Sequence, residues 1–261
     1  MSKSDRAFGV LKLFTLEKPS WTAEEIGNAM GVSTATVYRF IGALEDIGLI
    51  APTRLGVYTL GPAIIQLDRQ IQLSDPLLAA AAPVMDDLRK YCPGGSVVLL
   101  CRSFGETVLC VHQVLTTGPQ PLISYARGRP MPLFAGATSK VILANQSARW
   151  LRTLYDTHRD EVSAASLGAT LEEFKSALAY IRKIGYSITV GEVDHGRIGI
   201  AAPILNDDRR AIGSLSYVVN DEIETQACQR LAAIVQSGAQ EIETKLTEPS
   251  PMKPSDTRRS A

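Results

Sequence analysis

The sequence predicts an α+β chain: an N-terminal winged helix-turn-helix, a helical linker, and a larger domain built on an antiparallel sheet. Three observations lead there. Two capping boxes, Thr22-Ala23-Glu24-Glu25 and Thr170-Leu171-Glu172-Glu173, each open a segment whose apolar residues recur at helical spacing. A helix, a Gly-bearing turn and a second helix precede a short hairpin near the N-terminus, the layout of a winged helix-turn-helix. Beyond residue 95, β-prone runs come in pairs joined by short polar turns, with helices grouped outside them, which favours an antiparallel sheet.

The head can be justified element by element. Ala7, Val10, Leu11 and Phe14 fall on one helical face, and Pro19 is expected to stop that helix. The Thr22 box opens a short helix carrying Ile26 and Met30, with Gly31 placed to end it at positive φ. Ser33 or Thr34 caps the next helix, which buries Val37, Phe40, Ile41 and Leu44 and is closed by Gly48. Its other face presents Ser33, Thr34, Thr36, Tyr38 and Arg39, hydroxyl donors plus one cation that suit phosphate and base-edge hydrogen bonds. Leu49-Ile50 and Val57–Leu60 flank Pro52-Thr53-Arg54-Leu55-Gly56, read as the turn of a hairpin with Arg54 at its tip.

Charge gives this reading no help. The 261 residues hold 27 Lys and Arg against 27 Asp and Glu. Within residues 1–70, Lys3, Arg6, Lys12, Lys18, Arg39, Arg54 and Arg69 are balanced by Asp5, Glu17, Glu24, Glu25, Glu45, Asp46 and Asp68. Contact with double-stranded DNA therefore requires positive charge arranged by face. A helical protein-interaction module with solvated Arg and Thr side chains remains the alternative for the head.

The domain boundaries follow from punctuation. The head spans 4–61; Ile64, Ile65, Leu67 and Ile71 give a helical linker over 62–75, with the boundary near residue 70. Ser74-Asp75-Pro76 then starts a helix lined by Leu77, Leu78, Ala81, Val84, Met85 and Leu88 and ended by Pro93-Gly94-Gly95. Strands are expected at 96–101, 107–114, 122–125, 186–190, 198–205 and 211–219. Helices are expected at 136–145, from the second capping box to Gly185, and from Asp221 onward. The domain so defined covers 76–246, and the Pro- and Ser-rich residues 247–261 are expected to be disordered. The apolar runs fall far short of the roughly 18 residues that a membrane span needs. No secretory signal opens the chain, and the cysteines form no disulfide framework, so the location expected is cytoplasmic.

Long stretches of this sequence resemble the IclR family of bacterial transcriptional regulators. They are RAFGVLKLF, TAEEIGNAMGVSTATVYRFIGALEDIGLI, GVYTLGPAII, GRPMPLFAGATSKVILA and GYSITVGEVDHGRIGIAAPILNDDRRAIGSLSYVV. The resemblance implies a GAF-like C-terminal domain that binds a small-molecule effector, and a homodimer or homotetramer acting on operator DNA. Carried over by motif, the effector site falls on Ala137, Thr138, Thr189, Gly199, Ser216 and Val218. The residues support part of this. Gly136-Ala137-Thr138-Ser139 is a small-residue helix start whose free N–H groups and dipole suit a carboxylate, and Ser216 adds a hydroxyl from the sheet. Some carboxylate-sensing relatives have an acid, a Cys and a Ser where this chain has Thr189, Gly199 and Val218, which points to a less polar or larger effector. Tyr125, Arg127 and Phe134, placed near the entrance, would suit an aromatic acid.

Other chemistry finds little footing. Cys92, Cys101 and Cys110 are each nine residues apart, whereas zinc-ligand pairs are typically two to four apart; Cys101 and Cys110 read as small buried hydrophobes on neighbouring strands. No H-E-x-x-H or G-x-S-x-G pattern occurs, no cofactor is implied, and no spacing proposes a catalytic set. Glu192, Asp194 and His195 cluster, and are read as a loop that covers or shapes a pocket. An enzyme of small-acid metabolism with an appended helical module is the alternative from another class.

Overall fold

The computed structural model describes residues 3–118, 123–124 and 126–248. The chain divides into two compact units, residues 1–75 and 76–261.

In the first unit α1 (Lys3–Gly9) tightens into a 3₁₀ turn (Val10–Leu13) and ends at Phe14, before Pro19 is reached. Trp21–Thr22 form β1, a strand the sequence did not announce, and α2 (Ala23–Met30) follows. The Thr22–Glu25 capping box is present, and Gly31 closes α2 at φ 64°, a conformation that glycine adopts without a Cβ penalty. The next helix, α3 (Thr34–Asp46), is capped by Ser33. Val37, Phe40, Ile41 and Leu44 are buried with Val10, Ile26, Ile50 and Tyr58 in one small core.

The hairpin differs from its expected shape. β2 (Ile50–Arg54) runs through Pro52 and Thr53 with a bulge before Arg54, and only Leu55-Gly56 turn the chain into β3 (Val57–Leu60). Pro52 is tolerated because β2 is an edge strand: β3 lies between β1 and β2. After it comes α4 (Ala63–Ser74), a helix with no buried residue.

The second unit opens with α5 (Pro76–Leu88), followed by β4 (Val97–Phe104) and β5 (Thr107–Leu115). Of the expected strand at 122–125, residues 122 and 125 lie outside the described residues, and Ile123 and Ser124 belong to no strand. The third pairing partner is instead β6 (Pro130–Met131), against Val108 and Leu109. Helices α6 (Ala137–Ala144), α7 (Ala148–Thr157), α8 (Arg159–Ala164) and α9 (Leu171–Ile184) come next; α9 opens on the Thr170–Glu173 box and closes at Gly185. Then follow β7 (Ser187–Val190), β8 (Arg197–Leu205), β9 (Ala211–Asn220) and α10 (Thr225–Thr247), which begins at Thr225 rather than Asp221. Residues 249–261 of the tail lie outside the described residues.

As the described residues show it, the sheet is antiparallel throughout, in the order β6-β5-β4-β9-β8-β7. Alternation along the strands divides its residues between two cores. Val98, Leu100, Ile200, Ala202, Leu215 and Tyr217 pack with α5 and α10, where the Tyr217 hydroxyl donates to the Leu88 carbonyl at 3.0 Å. Val97, Leu99, Cys101, Cys110 and Val218 face the other way and meet Ile142 of α6. A third cluster, including Phe134, Leu143, Leu154 and Phe174, holds α7 and α9 together.

His158, between α7 and α8, ties these helices to the β4–β5 turn: Nδ1 lies 2.6 Å from Glu161 and Nε2 3.2 Å from Glu106. The Glu161 contact, reinforced by Glu106, holds the imidazole pKa above its ordinary 6.5. A raised histidine pKa contributes stability fully below the unfolded value and loses it as pH rises through the folded one. The expected result is an NMR titration of the His158 ring with a pKa above 6.5 that falls back toward the ordinary value in Glu161→Gln. Amide exchange in the β4–β5 turn should quicken, beyond its intrinsic pH dependence, as pH rises through the same transition.

Candidate functional site

The start of α6 is where the expected effector residues meet. Thr189, Gly199 and Val218, far apart in sequence, are cross-strand partners in one row: Thr189 opposes Gly199, and Gly199 opposes Val218. In the next row on the same face, Ala201 opposes Ser216. The N-terminus of α6 lies over these rows, within ordinary contact distance of Gly199. A Cβ there would sit 3.2 Å from Thr189 Oγ1 and 3.5 Å from Ala137 Cβ. The Thr138 hydroxyl donates to Ser216 Oγ at 3.0 Å, both groups buried. All six expected residues therefore lie together at one end of α6.

The helix start is not left as open as the sequence implied. Ala137 N–H donates to Thr189 Oγ1 at 3.0 Å, and Gly136 N–H donates to Glu192 Oε2 at 2.8 Å. These partners satisfy two of the donors that a helix N-terminus exposes and leave the Thr138 and Ser139 N–H groups for a ligand. The other Glu192 oxygen lies 2.6 Å from Lys140 Nζ, whose side chain is 9% exposed. Glu192 and Lys140 are not among the predicted site residues. The capping chemistry of α6 was the available signal: a small-residue helix start without its own Ser, Thr, Asp or Asn cap needs an acceptor from elsewhere.

The 191–196 loop covers the site, as its cluster of acids suggested. Glu192, Val193 and Asp194 line a cavity of about 20 Å³ with Gly136, Ala137 and Thr138. Asp194 accepts from the Ser124 N–H at 2.9 Å and from its hydroxyl. Gly191 and Gly196 bound the loop at φ 65° and 74°. Two entrance residues go elsewhere. Phe134 is buried with α7 and α9, and Arg127 Nε donates to the Val111 carbonyl at 2.8 Å. Tyr125 lies outside the described residues.

In the head, Ser33, Thr34, Tyr38, Arg39 and Arg54 are exposed and Thr36 is half-buried. Ser33 Oγ accepts from the Thr36 N–H and lies 3.1 Å from Thr36 Oγ1, so these two hydroxyls serve the cap of α3. Neither Arg39 nor Arg54 is in an ion pair among the described residues, whereas Lys18 is held by Glu25 at 2.8 Å over the Trp21 ring.

Among the described residues no group of His, Cys, Asp and Glu is placed to hold a metal ion. Cys101 and Cys110 oppose each other across β4 and β5 and are buried, as expected of small hydrophobes. Burial pushes the Cys92 thiol up to about 12, which makes it a poor nucleophile.

Comparison with known proteins decides the family. Residues 5–53 match the IclR helix-turn-helix domain, and residues 72–244 match the bacterial transcriptional regulator IclR C-terminal domain. The chain belongs to the IclR family. It is similar to the HTH-type transcriptional regulator KipR of Bacillus subtilis, 27% identical over 216 residues that cover 81% of this chain and 83% of that one. Its fold is that of an IclR transcriptional regulator from Alicyclobacillus acidocaldarius (21% identity, 94% and 98% of the two chains covered, TM-score 0.75). It is also that of an IclR homolog from Microbacterium hydrocarbonoxydans complexed with 4-hydroxybenzoate (20% identity, 94% and 99% covered, TM-score 0.74). This IclR-family chain is thus a DNA-binding transcriptional regulator rather than an enzyme, with an effector-binding type of C-terminal domain. No described helix is long and apolar enough to cross a membrane.

Proposed function

We propose that this IclR-family regulator binds a palindromic operator as a homodimer or homotetramer and is released or retained there by a small organic acid held at the start of α6. The division of labour is a DNA-binding head over 4–61, a linker over 62–75 and an effector domain over 76–246. Ser33, Thr34, Thr36, Tyr38, Arg39 and Arg54 form the DNA face; Ala137, Thr138, Thr189, Gly199, Ser216 and Val218 form the effector site.

One observation carries the effector half: the α6 N-terminus already binds a carboxylate, that of Glu192. A ligand carboxylate is offered the neighbouring Thr138 and Ser139 N–H groups and the same helix dipole. A volume near 20 Å³ holds about one water, so an organic acid requires the loop between Gly191 and Gly196 to swing out. That movement, rather than a preformed cavity, gives the ligand a conformational consequence. An aromatic acid draws support from the Microbacterium relative bound to 4-hydroxybenzoate. The oligomer is supported by α4, which leaves Ile65, Leu67, Ile71 and Leu73 exposed; Leu67 and Ile71, one turn apart, share a face that a second copy would cover.

A gel shift of the purified protein on its own upstream intergenic DNA, with aliphatic and aromatic carboxylic acids added singly, tests the reading. A specific shift altered by one acid is the expected result. A shift indifferent to every acid would overturn the effector assignment, and no shift at low salt would overturn the operator assignment.

A further inference from the structure

A second cleft lies away from the effector site, at the open edge of the sheet. β7 pairs only with Ile198–Ala201, so the rest of β8 has a neighbour on one side alone. The free edge is blocked against strand addition. Pro203 has no N–H to offer, and the Leu205 N–H donates to Glu243 Oε1 of α10 at 2.7 Å. Between this edge, the end of α9 and α10 is a cavity of about 180 Å³, ninefold the volume found at the effector site. It is lined by Asn145, Arg182, Pro203, Arg209, Gln236 and Gln240 among others.

The charges in the cleft are unbalanced. Arg182 spends Nε on the Ala144 carbonyl at 2.5 Å, and its two terminal nitrogens have no partner among the described residues. Arg209 has no side-chain partner among them either. Glu243, the carboxylate in the lining, accepts from the edge of β8 through Oε1, and two arginines against this one acid leave the lining net positive. Arg209 also sits at φ 58°, a left-handed conformation uncommon for a residue with a Cβ. The turn from Asn206 to Arg210 would take glycine there more easily, so removing this side chain carries no backbone penalty.

We infer that this cleft is an accessory binding site for a small oxyanion, a carboxylate or a phosphate, clamped between Arg182 and Arg209. Guanidinium forks bind both groups with paired, charge-assisted hydrogen bonds, and Gln236, Gln240 and Asn145 add neutral donors and acceptors around them. The site stands apart from the operator and effector assignments and shares no lining residue with the latter. It nevertheless touches the same helix. Arg182 holds the C-terminal end of α6 and Asn145 caps it, while the effector site is at the N-terminal end.

The test is calorimetric titration of the full chain, in a buffer free of phosphate and carboxylate, with inorganic phosphate in one arm and succinate in the other. Saturable binding in either arm is expected, and the arm that binds names the oxyanion. Arg209→Gly should weaken it by at least about tenfold, with an unfolding midpoint equal to or above that of the parent because the turn suits glycine. Arg159→Gln removes the same charge from a distant helix and should leave binding intact, as should Thr138→Val in the effector site. No saturable binding, equal binding by Arg209→Gly, equal loss in Arg159→Gln, or loss in Thr138→Val would each overturn the assignment.

Discussion

Glu192→Gln is expected to destabilise the effector domain by about 3 kcal/mol, within the usual range for stripping one partner from a buried ion pair. Lys140 is the reason. Its ammonium lies inside the start of α6 with 9% of the side chain exposed, and Glu192 supplies its countercharge at 2.6 Å. A glutamine can still accept from the Gly136 N–H but leaves a buried positive charge facing a neutral amide. The reverse change should cost less. Lys140→Met leaves a carboxylate that is 31% exposed and still bound to a backbone N–H, so about 1–2 kcal/mol is expected. The double variant should be more stable than the sum of the two single losses, by a coupling of about 1–3 kcal/mol. Urea unfolding of the four proteins, with unchanged m values, measures this. A loss below about 1 kcal/mol for Glu192→Gln would show that Lys140 reaches water and that the pair is an ordinary surface contact.

The same pair shows why the fold was more legible than the site. Signals that act within four residues are readable: the two capping boxes, and Gly31 and Gly185 as helix stops. Those that depend on register are not. Nothing local to Thr189, Gly199 or Val218 says that they share one cross-strand row, because that follows from how β7, β8 and β9 slide against each other. Family resemblance supplied the residues, and the structure supplies their row, which lies under the start of α6. Glu192 was read as part of a covering loop, and it is, but its contact with Gly136 spans 56 positions in sequence. Arg127 and Phe134 depart from the expected entrance for the opposite reason. Nearness in sequence to the site suggested an entrance, while a buried aromatic cluster claimed Phe134 and a strand carbonyl claimed Arg127. In the head the reading misses the two-residue strand β1 and runs the first helix past Phe14, and it takes Pro52-Thr53-Arg54 for turn where strand and turn chemistry overlap, since an edge strand accepts a proline that a central strand rejects.

Arg39→Ala should weaken operator binding by about 1–3 kcal/mol per head at fixed salt, the usual worth of a side chain that reads a base edge. The predicted DNA face offers few uncommitted groups. Ser33 and Thr36 are tied into the α3 cap, and Lys18 is tied to Glu25, so Thr34, Tyr38 and Arg39 are the exposed polar groups of the predicted DNA face of α3 not engaged in that cap. Arg54, beside the hairpin tip, is expected to contact phosphate instead, and the two arginines should separate in kind. Arg54→Ala should lower affinity for all sequences alike and make the salt slope shallower by about one unit per head. Arg39→Ala should leave the slope nearly unchanged and narrow the gap between operator and random DNA. Fluorescence anisotropy on both duplexes across a salt series distinguishes these outcomes, and an unchanged operator affinity for Arg39→Ala would remove it from the reading face. A head with balanced charge has little non-specific attraction to fall back on, so each base contact it makes carries a larger share of the binding.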